Sequence, residues 1–391
     1  MQAISVICMN LKSVPGRLAA TLVAVIGIAG VVMVLVATLA MSQGFKAALN
    51  VAGAADVAVI VRGGSSGELA STLLSAEAKV IEDAPGIARD ASGPLVSPEA
   101  YVLVDLPMRG SGTAANVPFR GVGPRAMALR SHFKLVSGRL FRPGLDEVIV
   151  GRGAASQFRG IQVGQPVRFG AKQWDVVGVF EDQGSVTESE VWTDVHVLQA
   201  SYRRGSSLQS VRAQLLAPQA TERLMQALMT DPRVNVTVAT EKAFYSEQSR
   251  ALVTLVTTLG SAIAFIMGIG AVFGAVNTMY AAVAARTREI ATLRALGFGG
   301  GAVLASVLVE AALIGIAGGV LGGLLAYVGF DGYRASTLNF QTFSQLTFAF
   351  RVTPAVLGTG IVYAVALGLV GGLWPGYRAA HMSVTAGLRS L

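Results

Sequence analysis

Four long runs of uncharged, mostly apolar residues constrain the fold of this 391-residue chain more than any other feature. They cover residues 18–41, 251–285, 298–330 and 352–377, and only the third contains a charged residue, Glu310. A helix that crosses the hydrocarbon core of a bilayer needs about 20 apolar residues, so each run is long enough. The composition agrees, because 14% of the residues are charged, against about 25% in soluble proteins. The sequence therefore predicts an integral membrane protein with four transmembrane helices.

The first run is longer than a signal peptide requires. The apolar region of a signal peptide has about 7–15 residues, whereas this run has 24 and is not followed by a convincing small-x-small cleavage site. We therefore interpret it as an uncleaved anchor.

Charges in the short segments that flank the runs predict the orientation of the chain. Residues 1–17, 284–301 and 377–391 contain one acidic residue, Glu289, and seven basic residues: Lys12, Arg17, Arg286, Arg288, Arg294, Arg378 and Arg389. Because basic loops remain in the cytoplasm, both termini and the 284–301 segment are expected on that side. Residues 46–250 hold 22 basic and 20 acidic residues, so the high pI arises mostly from the flanking segments and does not indicate a nucleic-acid-binding protein.

The spacing of the runs predicts an α-helical membrane protein with a large mixed α+β domain inserted between the first and second spans. Cys8 is the single cysteine and lies in the lead-in, so the inserted domain needs a core of its own without disulfides. The predicted segments are a cytoplasmic lead-in (1–17), transmembrane helix 1 (18–45), the outer domain (46–249), transmembrane helix 2 with a stalk (250–284), a cytoplasmic segment (285–301), transmembrane helix 3 (302–330), a short outer loop (331–353), transmembrane helix 4 (354–377) and a cytoplasmic tail (378–391).

The mixed character of the outer domain follows from its residue patterns. β-Branched runs predict strands at 55–61, 147–151, 166–170, 174–180, 211–216 and 234–238. Apolar residues at helical spacing predict helices at 68–83 and 219–229, which gives a small βαβ unit over 211–238. Residues 105–146 are rich in Gly, Pro and Arg and are expected to form loops or an inserted lobe. The four phenylalanines of the 331–353 loop are interpreted as an interfacial aromatic belt.

Catalytic motifs do not emerge from the sequence. It contains no G-x-x-x-x-G-K-[ST] phosphate-binding loop and no H-E-x-x-H or C-x-x-C. The histidines, His132, His196 and His381, are scattered. The chain is therefore expected to be no enzyme and to bind neither a metal nor a cofactor of its own.

Two features lie within the third run. Glu310 is the only acidic residue in a predicted span, and an ionisable residue inside a membrane is costly, so it is expected to serve either a proton relay or, more plainly, an interhelical polar contact. Small-xxx-small spacings allow helix backbones to approach closely. They are formed by Gly315, Gly318, Gly319, Gly322 and Gly323.

The 285–301 segment combines basic and apolar residues at roughly helical spacing, with a glycine able to end the helix. Two interpretations remain open from composition alone: a short amphipathic helix beneath the membrane, or a positive-inside anchor without further function. The candidate residues are Arg286, Thr287, Arg288, Glu289, Ile290, Leu293, Arg294, Leu296 and Gly297.

This segment also carries a resemblance to a known family. MYAAVAARTREIATLRALGF (279–298) resembles the signature of MacB/FtsX-type ABC transporter permeases, the type VII or mechanotransmission class. VLVEAALIGIAGGVLGGLLAY (307–327) is similar to the family's glycine-rich third helix, and the C-terminal residues 372–391 are similar to its tail. Residues 138–158 and 163–182 resemble its periplasmic core domain.

The resemblance implies a subunit of the bacterial inner membrane with a MacB-like periplasmic domain at 46–249. Two permease copies, identical or paralogous, would each bind a separate ATPase that holds ATP and Mg²⁺, and residues 285–301 would be the coupling segment that docks on it. A periplasmic adaptor and an outer-membrane channel are further expected partners. Substrates would be hydrophobic or amphipathic: lipids, lipoproteins, peptides or drugs.

Two alternatives remain at this stage. A LolC/LolE-like subunit would release lipoproteins from the membrane. An FtsX-like regulator would transport nothing and would activate a periplasmic hydrolase. The sequence of residues 46–250 does not decide between the exporter and the lipoprotein-releasing subunit, although about 200 residues is large for the regulator.

Overall fold

A computed structural model describes residues 18–339 and 344–384. The predicted lead-in, the residues from 385 onward, and two of the four phenylalanines, Phe340 and Phe343, lie outside the described residues. The helices are α1 (Leu18–Ala52), α2 (Ser75–Glu82), α3 (Arg152–Gln157), α4 (Val195–Ser201), α5 (Ala220–Thr230), α6 (Glu241–Ala284), α7 (Thr287–Ala295), α8 (Gly300–Phe330) and α9 (Pro354–Ala380).

The described residues also form a short 3-10 helix, Val186–Ser189, and sixteen strands. The strands are β1 (Val57–Arg62), β2 (Leu73–Leu74), β3 (Arg89–Asp90), β4 (Gly93–Pro94), β5 (Val96–Pro107), β6 (Ala114–Val122), β7 (Lys134–Gly138), β8 (Glu147–Gly151), β9 (Pro166–Phe169), β10 (Lys172–Glu181), β11 (Val191–Asp194), β12 (Ser207–Leu208), β13 (Ser210–Gln214), β14 (Val236–Thr240), β15 (Arg334–Asn339) and β16 (Ser344–Ala349).

Four helices of the described residues are long and apolar enough to cross a membrane: α1, α6, α8 and α9. Their number agrees with the four uncharged runs of the sequence. Local signals fix the start of α9, where Pro354 occupies the first turn and the Thr353 hydroxyl accepts a hydrogen bond from the Val356 N–H at 3.3 Å. Two helices extend beyond their apolar runs, since α1 continues to Ala52 and α6 begins at Glu241.

The chain divides into two compact units. The helical unit comprises residues up to Gln43, Leu255–Tyr333 and those from Phe350 onward, and the sheet unit comprises Gly44–Thr254 and Arg334–Ala349. Each unit has a hydrophobic core of its own.

In the helical unit, the glycines of α8 face two different neighbours. A Cβ built on Gly318 would lie 2.8 Å from the Ile28 side chain of α1, and Gly322 faces the same helix. Gly315, Gly319 and Gly323 instead face α9, where a Cβ on Gly315 would lie 2.7 Å from the Ala364 carbonyl oxygen. Distances below about 3 Å leave no room for a side chain, so glycine is needed for the helices to pack this closely.

The sheet unit is built on a ten-stranded mixed sheet with the order β14-β1-β13-β5-β6-β11-β8-β10-β7, in which β9 pairs with β10. Most neighbours are antiparallel, but β10 with β8 and β11 with β6 are parallel. The predicted order strand, helix, strand over 211–238 is present as β13, α5 and β14. However, β1 lies between β13 and β14 and pairs with both.

Two expectations for the sheet unit are wrong in part. Residues 105–146 contain the expected loops and turns, but β5 and β6 also form a long antiparallel hairpin through this region and β7 follows it, so part of the segment belongs to the main sheet. The predicted helix over 68–83 is confined to α2, and the preceding Leu73–Leu74 pairs as a strand with Ser207–Leu208. In the core of the sheet unit, the ring centroids of Phe119 on β6 and of Trp174 lie 4.9 Å apart, and the two rings meet edge to face.

The segment between α8 and α9 is more than a loop. Its strands β15 and β16 pair as an antiparallel hairpin that belongs to the sheet unit. Phe348 is 2% exposed and packs edge-on against Phe45 at 5.5 Å. Phe348 is therefore a core residue, and the aromatic-belt interpretation is wrong for it.

Candidate functional site

The charged segment between α6 and α8 folds as the short helix α7. Arg286 occupies the position before its first residue, and Leu296 the position after its last. Gly297 follows with φ +91°, a left-handed conformation that glycine adopts without strain, and so ends the helix. The Thr287 hydroxyl donates to the Ala284 carbonyl oxygen at 2.9 Å and joins the end of α6 to α7.

One side of α7 is packed into the helical unit. Ile290 and Ala291 are buried, and Ile290 forms a small apolar cluster with Val303 of α8 and Ala379 of α9. Leu293 is half-buried and lines a small cavity with Ile290. α7 is therefore held by the adjoining ends of two helices that are long enough to span a membrane.

The structure brings together two candidate residues that the sequence placed in different segments. The Arg286 Nη1 atom lies 3.5 Å from Oε2 of Glu310, and the two residues are 6% and 7% exposed. An isolated buried charge is costly, whereas a paired one is tolerated. Glu310 therefore makes a polar contact that joins α8 to the start of α7.

Arg294 binds a different part of the same unit. Its Nη1 atom donates to the carbonyl oxygens of Ala380 at 2.8 Å and Met382 at 2.7 Å, at the C-terminal end of α9. The C-terminal end of a helix carries the negative end of its dipole, so a guanidinium suits the carbonyl groups there. Arg294 thus holds α7 against α9.

The other side of α7 is open. Arg288 and Glu289 are exposed, and Leu296 just beyond the helix is 73% exposed. Charged residues beside one exposed leucine form a small amphipathic surface, which we call the α7 face (Arg288, Glu289, Thr292 and Leu296).

A groove of about 700 Å³ lies beside α7 in the helical unit. The rings of Tyr377 and His381 have centroids 4.2 Å apart and are inclined at 36° to each other. The Arg378 guanidinium lies 5.9 Å from the centre of the Tyr280 ring. Sequence reasoning did not single these residues out for a site. Their clustering near the C-terminal end of the last predicted span was the available signal.

A second cluster that sequence reasoning missed lies inside the sheet unit. Three arginines and four glutamates are buried and linked by ion pairs: Arg120, Arg130, Arg212, Glu68, Glu99, Glu190 and Glu241. Arg120 on β6 binds Glu190 through two nitrogens, at 2.8 Å each. The signal for this cluster was an arginine with non-polar residues on either side of it in each of two strands, β6 and β13.

The charges within this cluster shift one another's protonation. Burial alone would raise the pKa of Glu99, but Arg130, Arg212 and Arg120 outweigh burial and lower this pKa to about 2. The same balance, with Arg120 as the main partner, lowers the pKa of Glu68 well below its usual range. For Glu241, burial prevails over Arg212 and raises the pKa.

Metal ligation is not supported within residues 18–339 and 344–384. No group of three or more His, Cys, Asp or Glu residues in that range is arranged to hold a metal ion. The carboxylates of the buried ionic cluster are bound to guanidinium groups instead.

Comparisons with known proteins relate both units to one family. The model of the MacB-like periplasmic core domain matches residues 20–231, more than half of the chain. The model of the FtsX-like permease C-terminal domain matches residues 261–384, which include α7.

Curated proteins that are similar in sequence indicate the same family. The chain is 27% identical over 312 residues to the macrolide export ATP-binding/permease protein MacB of Pasteurella multocida, which covers 73% of this chain and 45% of that protein. It is 26% identical over 385 residues to the MacB protein of Rhodopseudomonas palustris, covering 93% and 56%. It is also 31% identical over 174 residues to the pyoverdine export ATP-binding/permease protein PvdT of Pseudomonas savastanoi, covering 44% and 25%. The chain thus spans about half the length of the curated relatives it matches.

A solved structure is similar as well. The periplasmic region of MacB from Actinobacillus actinomycetemcomitans matches with a TM-score of 0.37 and 15% identity, over 50% of this chain and 93% of that one. The two family models together extend over nearly the whole described chain. The chain belongs to the MacB/FtsX-type family of ABC transporter permeases.

Proposed function

We propose that this chain is the permease subunit of a MacB-like ABC exporter, and that α7 receives motion from an ABC ATPase subunit. The observation that carries the proposal is the two-sided character of α7. Arg286, Ile290 and Arg294 hold one side against the helical unit. The α7 face is left exposed, with Leu296 at 73%.

The α7 face has the properties of a docking surface. A short helix that is fastened on one side can move as one body with the helices that hold it. Its exposed leucine offers an apolar anchor, and the flanking Arg288 and Glu289 offer charges that orient a partner. Thr287, Leu293 and Gly297 help to keep the helix in place: Thr287 bonds to the end of α6, Leu293 is half-buried, and Gly297 ends the helix.

The source of energy is proposed to be a separate ATPase subunit that binds ATP and Mg²⁺. Similar proteins named for macrolide and pyoverdine export support transport as the outcome. We propose hydrophobic or amphipathic substrates, which include lipids, lipoproteins, peptides and drugs. A second permease copy, a periplasmic adaptor and an outer-membrane channel would complete the assembly.

The proposed location is the bacterial inner membrane, with both termini and α7 in the cytoplasm. The sheet unit would be the periplasmic domain, inserted between the first and second spans. Supporting this arrangement, α7 belongs to a short segment with three arginines and one acidic residue, and the sheet unit contains most of the residues matched by the periplasmic core model.

The proposal is tested by changing the α7 face. We expect Leu296→Asp and Arg288→Glu each to weaken binding of the cognate ABC ATPase by about 30-fold, the effect of losing one anchor worth about 2 kcal/mol. Binding is measured by co-purification at graded ATPase concentrations, together with ATP hydrolysis by the complex. Arg223→Glu, an equal charge change on the exposed surface of α5, serves as the control. Wild-type binding by both α7 variants would exclude α7 as the docking helix.

A further inference from the structure

Two helices of the chain end at the same place in the sheet unit. α1 ends at Ala52 and α6 begins at Glu241, and the residues beside these ends touch. The Ala54 N–H donates to Oε2 of Glu241 at 3.2 Å, and the Lys242 N–H donates to the Ala54 carbonyl oxygen at 3.1 Å. We call this contact, formed by Gly53, Ala54, Glu241 and Lys242, the root contact.

Gly53 makes the close approach at the root contact possible. A Cβ built on Gly53 would lie 2.7 Å from the Cα atom of Lys242. The obstructing atom belongs to the backbone and cannot rotate away, as the end of a flexible side chain can. Any larger residue at this position would therefore separate the two chain segments.

The root contact is fixed to the sheet by Arg212. Its Nε atom donates to Oε1 of Glu241 at 3.0 Å, and its Nη2 atom donates to the Tyr245 hydroxyl, one turn further along α6, at 3.1 Å. Arg212 also donates from Nη1 to Glu68 and Glu99. One arginine on β13 thus binds the first turn of α6 and the centre of the buried ionic cluster together.

The connection between β14 and α6 is very short. β14 ends at Thr240 and α6 begins at the next residue, so no loop separates the strand from the helix. The Thr240 hydroxyl accepts a hydrogen bond from the Ala243 N–H at 3.2 Å and caps the helix. β14 pairs with β1, and β1 pairs with β13, the strand that carries Arg212. A displacement of the first turn of α6 therefore acts directly on three neighbouring strands.

We propose that the root contact, held by Arg212, is the joint through which motion of α1 and α6 reaches the sheet of this protein. Glu241 and Gly53 are its positioning residues. A cluster that only stabilised the fold would require neither the glycine nor the bonds from one arginine to both the helix and the sheet. This inference rests on the proposed function, because it assumes that ATP hydrolysis moves the helices.

The test uses the full chain in nanodiscs with its cognate ABC ATPase. Hydrogen exchange of the amides in β13 is measured with and without ATP, and ATP hydrolysis is measured in parallel. Two variants open the root contact by different means: Gly53→Ala through steric conflict, and Glu241→Gln through loss of charge at nearly constant volume. Each has a matched control: Gly67→Ala, where an added Cβ meets nothing within 4 Å, and Glu190→Gln, which alters the same ionic cluster away from α6.

We expect Gly53→Ala and Glu241→Gln to retain wild-type ATP hydrolysis and to reduce the ATP-dependent difference in exchange by about tenfold, as expected for the loss of about one charge-assisted hydrogen bond. The controls should retain both properties. Thermal unfolding of every variant shows which ones are folded. Because the two variants act by different means, the test still gives an answer if one of them misfolds.

Two results would overturn this inference without contradicting the proposed function. One is a wild-type exchange difference in folded Gly53→Ala and Glu241→Gln. The other is an equal loss in the Glu190→Gln control, which would make the cluster merely stabilising. If the wild-type complex itself shows no ATP-dependent difference in β13, the proposed function fails, and the inference fails with it.

Discussion

The ion pair between Arg286 and Glu310 should determine whether α7 stays packed against the other helices of the helical unit. At an effective dielectric constant of about 20, unit charges 3.5 Å apart attract by about 5 kcal/mol. Removing one partner of a buried pair costs about 3–5 kcal/mol. The separation exceeds the 2.7–2.9 Å of a strong charge-assisted hydrogen bond, so we use about 3 kcal/mol, the lower limit. Glu310→Gln should therefore raise the fraction of molecules with α7 detached by roughly 100-fold.

The assay is limited trypsin digestion of the detergent-purified chain, followed by mass spectrometry of cleavage after Arg288. Arg288 is exposed but lies within a helix, and cleavage requires several residues around it to unfold locally. When opening is fast relative to cleavage, the rate follows the detached fraction and should rise by the same factor of about 100. Glu222→Gln, which changes an exposed glutamate of α5 in the sheet unit, should leave the rate unchanged.

A charge exchange separates the pair from other effects of the substitution. The double variant Arg286→Glu with Glu310→Arg restores opposite charges and should recover much of the protection that each single variant loses. An unchanged cleavage rate in Glu310→Gln, or a double variant no better than the singles, would refute the assignment of this pair as the fastening of α7.

Three further predictions concern packing and protonation. Gly322→Ala should lower stability by about 1–3 kcal/mol in thermal unfolding because its Cβ would meet the backbone of α1, whereas Gly329→Ala, with nothing within 4 Å, should be close to neutral. Phe348→Ala should cost about 3–5 kcal/mol in denaturant unfolding, since the ring is buried against Phe45, and a cost near zero would contradict the packing. The lowered pKa of Glu99, about 2 against 4.5, stabilises the fold above about pH 4.5 and loses that contribution as the pH falls toward 2. Glu99→Gln should flatten the stability profile in that window, and an unchanged slope would refute the assignment.

The membrane-length helices were predictable because their signal is local. An uncharged run of 24 or more residues has few alternatives to a spanning helix, whatever the rest of the chain does. The ends were less predictable, and α6 begins nine residues before the predicted start at 250. Polar residues can continue a helix when tertiary contacts such as Arg212–Glu241 support its first turn.

The β5–β6 hairpin shows why other parts were not predicted. β6 contains Pro118, Arg120 and Gly121, which individually disfavour a central strand. Arg120 becomes favourable there only because Glu68 and Glu190, 52 and 70 residues away, bind it in the folded state. Sequence patterns within a short window contain no information about such distant partners.

The candidate site, too, was predictable from the sequence in one part and not in another. The existence of a short amphipathic helix within 285–301 followed from local spacing and from Gly297. The different roles of its arginines did not, because Arg286 binds a residue of α8, Arg294 binds the end of α9, and Arg288 faces outward. These assignments depend on how the helices pack, and composition alone treats the three residues as equivalent.

Buried charges near both ends of α6 fit the proposed role of this helix. Glu241 at its start binds Arg212, and Arg286, two residues after its last residue, binds Glu310. Apolar contacts along the helix are non-directional and tolerate rotation or sliding, whereas an ion pair has a defined partner and geometry. A helix that transmits motion must not slip at the points where force enters and leaves. Apolar replacements of both pairs should largely preserve stability, because buried ion pairs often contribute little net free energy, but they would remove this directional contact.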